Sequence, residues 1–136
     1  MILHPQPRPE QAERRSAFTL LEVLIVVAII VILASIGGTY AFRAYYDAQV
    51  SEARIKANAI ASAAERFHVK YDRLPESLDE LVSPPGGGMP YIGADYLNDP
   101  WGQRFQYDPA GPHNGGLKPD VFTTTKQGEL VGNFKQ

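Results

Sequence analysis

Between Ser16 and Phe42 the chain carries one charged side chain, Glu22, within a run built almost wholly of Leu, Ile, Val and Ala. At about 1.5 Å per residue, a helix from Phe18 to Tyr40 approaches the ~30 Å of a hydrocarbon layer, so the run is long enough to span one. Arg14 and Arg15 stand immediately before it, with Arg8 further out, and this favours a cytoplasmic N-terminus with the rest of the chain on the other side. A carboxylate in the apolar layer costs on the order of 2.5 to 3.5 kcal/mol at mid-span and less near the interface. Glu22 must therefore find a partner or snorkel to the headgroups. Two plainer readings of the run are a cleavable secretory signal and an ordinary signal anchor. The first has a shorter apolar core with a small-x-small cleavage site behind it, whereas here the core continues through Ala34-Ser35-Ile36 into further helix-forming sequence. The second accounts for length and orientation but leaves Glu22 unexplained.

With 136 residues there is room for one small domain beyond this run. The absence of cysteine removes disulfides and thiolate metal sites, so packing and hydrogen bonds must hold the domain. Thirteen basic and fifteen acidic residues are interspersed to a net charge of −2, which gives no electrostatic footprint for nucleic acid. No catalytic constellation stands out. His4, His68 and His113 are scattered and none sits beside a nucleophile, and there is no metal-binding His pair, phosphate-cradling loop or nucleophile elbow. His68 reads as a surface or packing residue, and Asp79-Glu80 as first-turn charges of a short helix.

Helical periodicity persists past Thr39. Tyr46, Val50, Ala53, Ala57, Ile60, Ala64, Phe67 and Tyr71 recur at alternating spacings of four and three and define one face. Asp47, Glu52, Arg54, Lys56, Glu65 and Arg66 fall elsewhere and predict a solvated outer side. An Ala-rich coiled-coil seam is the competing reading, but no sustained repeat follows. Gly37-Gly38 weakens the helix by about 1 kcal/mol per glycine relative to alanine and marks a soft point. Pro75 stops the long helix, and Ser77 and Glu80 have capping-box spacing for a short one carrying Leu78, Leu81 and Val82. From Pro84 to Pro119, 15 of 36 residues are Gly or Pro, which predicts a long loop with little regular structure. Within it, Asp99-Pro100-Trp101-Gly102 reads as a tight turn, with Trp101 as a core anchor, and Arg104 to Asp108 alternates as a strand does. Two further strands are expected over Asp120 to Thr124 and Leu130 to Phe134. The expected class is α+β, a long helix packed on a small antiparallel sheet of about three strands.

The segment from Arg14 to Ile30, with Ala17-Phe18-Thr19-Leu20-Leu21-Glu22 at its centre, resembles the N-terminus of type IV pilins and pseudopilins. Leu74-Pro75-Glu76-Ser77-Leu78, Asp99-Pro100-Trp101-Gly102, and the closing Asp120-Val121-Phe122-Thr123 and Val131-Gly132-Asn133-Phe134 resemble the major (G-type) pseudopilins of type II secretion systems within that superfamily. The likeness runs from Arg14 to Phe134. It implies a pilin-like fold in three parts: residues 1–17 as a cytoplasmic leader, 18–40 as a transmembrane assembly helix, and 41–136 as a periplasmic domain. It implies that a prepilin peptidase cuts between Ala17 and Phe18 and methylates the amino group of Phe18, and that Glu22 meets the amino terminus of a neighbouring subunit during assembly. Opposite charges in such a low-dielectric setting attract strongly.

The function so implied is a structural subunit, not an enzyme. It would be held in the inner membrane and polymerised into a periplasmic pseudopilus that helps export folded proteins across the outer membrane. Its implied partners are copies of itself, minor pseudopilins, the peptidase, an inner-membrane assembly platform and the bilayer. The alternative is a type IV pilin or minor pilin-like subunit for adhesion, motility or DNA uptake. Absent cysteines and the Asp-Pro-Trp-Gly element weigh against it, and a third class, an unprocessed anchored binding module, would make Glu22 incidental. The chain departs from the resemblance twice. Ala17 stands where glycine is usual, and the loop before Glu129 is shorter than the aspartate-rich calcium-binding loop of typical members. With Glu129, threonine hydroxyls, backbone carbonyls and a repelling Lys126, it predicts no high-affinity calcium site and a hairpin closed by Gly128 instead.

Overall fold

The computed structural model describes residues 18–135, so Ala17 and the rest of the expected leader lie outside the described residues. The chain divides into two units, one ending at Tyr40 and the other beginning at Ala41.

Helix α1 runs from Leu20 to Tyr71, 52 residues, and passes through Gly37 and Gly38 without a break. Thr19 caps its start, since its carbonyl accepts from Val23 N–H and its hydroxyl from Glu22 N–H at 3.2 Å. Up to Tyr40 the apolar side chains are exposed, and an 18-residue window there is apolar enough to cross a membrane. Asp72, at a left-handed φ of 51°, turns the backbone out of the helix, and its N–H closes the last turn on the His68 carbonyl. Pro75, fully buried, holds the chain that leaves it.

Beyond Tyr40 the expected helix face is the packed one. Ala53, Ala57, Ile60, Ala64 and Phe67 are buried, Val50 and Tyr71 pack at the margin, and Ala61 and Ala63 join them. Alanine side chains let the helix backbone come close to whatever covers it, so a small domain achieves a dense core without bulk. The cover comes from Leu78 and Leu81, Leu97 and Phe105, and Val121 and Val131. Helix α2, Asp79–Val82, follows as expected, but the capping-box reading does not hold. Ser77 makes no side-chain cap, and Glu80 accepts from Arg73 and the Glu76 N–H instead of the Ser77 N–H, because a charged guanidinium fork is the stronger donor to a carboxylate.

The sheet is three-stranded and antiparallel in the order β1-β2-β3, with β1 Gln106–Asp108, β2 Asp120–Thr124 and β3 Leu130–Gly132. Tyr107 pairs with Val121, and Thr123 with Val131. Val121, Thr123 and Val131 face the core, while Phe122 faces the other way and is covered by His113 and Phe134. β1 starts two residues later than the alternation suggests, because Arg104 is taken into an isolated bridge with Asn98 and Phe105 N–H into the Leu97 carbonyl. The strand expected over Leu130 to Phe134 ends at Gly132, after which Asn133 and Phe134 turn to cover β2. The Gly/Pro-rich stretch has two 3-10 turns, Ala94–Leu97 and Pro112–Asn114, and is otherwise irregular apart from β1.

Candidate functional site

In the first unit, Phe18 and Glu22 come together with Val23, Val26 and Val27 around an open hollow of about 350 Å³. Thr19 fixes the Glu22 backbone through the cap. The Glu22 carboxylate has no hydrogen-bond or ion-pair partner among the described residues, so its acceptor capacity is left for something outside them. The cap was legible in Thr19-Leu20-Leu21-Glu22, which has the same S/T-x-x-E spacing that misled at Ser77.

In the second unit the long loop is fixed by a set of polar contacts centred on two buried aspartates. Asp99 opens the Asp-Pro-Trp-Gly turn. Its Oδ1 accepts from the N–H groups of Trp101 at 2.9 Å and Gln103 at 2.8 Å, its carbonyl accepts from Gly102 N–H, and its own N–H donates to the Gln103 carbonyl. Pro100 presets the turn, and Gly102 takes the positive φ of 83° that it requires. The other carboxylate oxygen, Oδ2, accepts from the Thr123 hydroxyl, which ties the turn to β2. Trp101 packs against the core, and its Nε1–H donates to Gln49 Oε1 of α1 at 3.1 Å.

Asp120 is the second node, and the sequence did not single it out. It is fully buried and accepts from His113 N–H at 2.7 Å, His113 Nδ1 at 2.8 Å and Asn114 Nδ2 at 2.7 Å. Asn133 completes the cluster by accepting from Val121 N–H and donating to the Pro119 carbonyl. An aspartate at a strand entrance, following a Pro-His-Asn segment rich in donors, was the available signal. His113 stacks on Phe134 at 4.4 Å and is a positioning group in this cluster.

Polar residues of the outer side of α1 also hold the loops. Lys56 Nζ donates to the Asn98 carbonyl and Arg66 Nη2 to the Tyr91 carbonyl, so these cations serve as loop braces. Arg73 and Glu80 form a two-pronged pair at 2.9 and 3.1 Å. The hydrogen bonds from Arg73 hold the Glu80 carboxyl below its ordinary range against the opposing effect of burial. Nearby, burial pushes the Tyr107 hydroxyl up to about 12, with the charges of Glu80 and Asp108 adding to it.

The β2–β3 hairpin closes through Thr125 N–H to the Glu129 carbonyl and Gly128 N–H to the Thr125 carbonyl, with Gly128 at φ 86°. Two of its side-chain oxygens are engaged. Glu129 Oε2 accepts from the Tyr46 hydroxyl at 3.0 Å, and Thr125 Oγ1 accepts from Glu129 N–H at 3.1 Å. Calcium takes six to eight oxygens, several of them carboxylate, and this tip offers one carboxylate beside Lys126. Among the described residues no three or more His, Asp or Glu side chains converge to hold a metal.

Two family models match the chain. One, described as type II secretion system (T2SS), protein G, covers residues 41–135, and the other, the prokaryotic N-terminal methylation motif, covers residues 14–38. The chain is 28% identical over 137 residues to the type II secretion system core protein G of Xanthomonas campestris pv. campestris, spanning 98% of this chain and 94% of that protein. It is 30% identical to the core protein G of Aeromonas hydrophila over 91% of this chain and 95% of that one. For the core protein G of Pseudomonas aeruginosa the figures are 31%, 71% and 75%. No solved structure matches at a significant level. The first match takes in the packed half of α1, the Asp99 turn and all three strands, and the second takes in the apolar run with Glu22, so the chain belongs to the type II secretion system protein G family.

Proposed function

We propose that the chain is a structural subunit of a type II secretion pseudopilus, polymerising through α1 to help export folded proteins across the outer membrane. The observation that carries this reading is the pairing, in one chain, of a protein G domain with an apolar helix whose capped first turn presents a carboxylate with no partner among the described residues. An acid so placed is costly in a membrane unless a neighbour supplies a cation. The α-amino group of a neighbouring subunit, exposed by cleavage between Ala17 and Phe18 and then methylated at Phe18, supplies one.

On this reading residues 1–17 are the cytoplasmic leader, 18–40 cross the inner membrane, and 41–136 form the periplasmic domain. The partners are further copies, minor pseudopilins, the prepilin peptidase and the assembly platform. The domain works without calcium, nucleic acid or catalytic chemistry, and Pro75, Asp99, Pro100, Trp101 and Gly102 act as scaffold. The family assignment does not favour an adhesive or motile pilin.

The test is to co-express the full chain with a prepilin peptidase and assembly platform, weigh the product and score filaments. The expected outcome is a methylated chain beginning at Phe18, with filaments lost in Glu22→Ala although cleavage persists. Cleavage elsewhere, or undiminished filaments in the variant, overturns the proposal.

A further inference from the structure

Phe42 and Tyr45 are large aromatic side chains left 79% and 67% exposed on α1. Phe42 lies in line with Tyr46 and Val50 of the packed side, and Tyr45 lies at the edge of that side, in line with Gln49. Positions 42, 45, 46 and 49 follow the three-and-four spacing of one helix face, and the domain uses the later two: Tyr46 bonds Glu129 of the hairpin and Gln49 bonds Trp101 of the loop. Phe42 and Tyr45 thus stand one turn ahead of the two helix residues that hold the hairpin and the loop, and both rings are uncovered. Tyr45 is also oriented. Its phenol oxygen accepts from Gln49 Nε2 at 3.3 Å, which turns the polar tip down the helix toward the domain and leaves the ring body bare. Arg43, exposed between them in sequence, adds a cation. A ring with an apolar body and a polar tip, beside a cation and two residues past the end of a spanning-length apolar run, is the composition that bilayer interfaces select.

We propose that Phe42, Arg43 and Tyr45 form a collar that seats in the phospholipid headgroup layer and sets the depth at which the subunit rests in the membrane before assembly. This inference rests on the membrane-anchored reading above. The rings lie at the acyl boundary, Arg43 meets lipid phosphate, and the Tyr46–Glu129 and Gln49–Trp101 contacts begin on the water side.

Because the chain has no cysteine, single labels report one position each. Nitroxides are placed at Ile29→Cys, Ile36→Cys, Ala41→Cys, Ala44→Cys, Ala48→Cys and Ser51→Cys in the full chain, reconstituted at high dilution in phosphatidylcholine–phosphatidylglycerol vesicles. Collision with oxygen is compared with collision with a water-soluble nickel chelate. Oxygen should dominate at Ile29 and Ile36 and nickel at Ala48 and Ser51, with the crossover between Ala41 and Ala48. The double variant Phe42→Ser, Tyr45→Ser should move that crossover by about one helical turn. A crossover at or before Ile36 or at or beyond Ser51, or one unmoved by the double variant, overturns the collar while leaving the anchor intact. Spin–spin broadening at Ala44 that survives dilution shows a second copy covering these rings and overturns it as well. Nickel dominance at Ile29 overturns the anchored reading itself.

Discussion

Asp99 is 5% exposed with three donors on its two oxygens and no paired cation among the described residues, so its burial is tolerated only because every donor is in place. Replacing it with alanine orphans the Trp101 and Gln103 N–H groups and the Thr123 hydroxyl together. Asp99→Ala should cost about 3 kcal/mol in urea unfolding followed in detergent, and Thr123→Val, which removes one of the three, about 1 to 2 kcal/mol. The sequence marked Asp99 as a turn former but not as a cross-link, since nothing in a linear pattern ties it to a threonine 24 positions away. Asp120, read only as the first residue of a strand, was missed as a node for the same reason. Tyr107 makes a different case, because its buried hydroxyl has no partner among the described residues. With its folded value raised to about 12, above the ordinary 10.0, the folded state holds the proton that the unfolded state releases. Its contribution to stability is therefore intact below pH 10 and is lost as pH rises from 10 toward 12. Phenolate absorbance should show one tyrosine titrating late, and Tyr107→Phe should flatten the alkaline loss of stability.

Among the elements, α1 was the most legible. Its packed face follows from the spacing of Val50, Ala53, Ala57, Ile60, Ala64 and Phe67, and its end from the proline at position 75. Ala61 and Ala63 were not legible as core, because alanine is common on both sides of a helix and only the covering loops decide which are buried. The same small side chains make the element unforgiving. Ala57→Leu, at a fully buried position, should lower stability by about 1 to 3 kcal/mol through overpacking, and the same change at exposed Ala48 should leave the thermal midpoint nearly unchanged. β2 kept its expected bounds because its alternation is undisturbed. β1 shortened where Arg104 found Asn98 and Asp79 off the sheet, and β3 where Asn133 and Phe134 turned across β2. The misread cap at Ser77 has the plainest cause: a carboxylate with capping spacing goes to an arginine seven residues away when one is in reach.

At the scale of the molecule, the second unit holds a 36-residue Gly/Pro-rich stretch in place without a disulfide. It does so with Asp99 and Asp120 as nodes and with Gln49, Lys56 and Arg66 as braces from the helix. The hairpin tip is held by Tyr46 through Glu129. A domain fixed this way should melt at the same temperature, within about 2 °C, in millimolar calcium and in excess chelator, whereas Tyr46→Phe should lower the midpoint in both; a chelator-induced drop of many degrees would sink the calcium-free reading. The contact between Trp101 and Gln49 bears on how the molecule can be watched. Trp101 is the sole tryptophan, it sits where loop and helix meet, and its indole is held by the one hydrogen bond it donates to the helix. Its emission is thus an intrinsic gauge of loop docking, free of contribution from the apolar half of α1, while helical ellipticity is dominated by α1. Comparing the two signals separates a filament whose subunits have loosened their loops from one whose helices have melted.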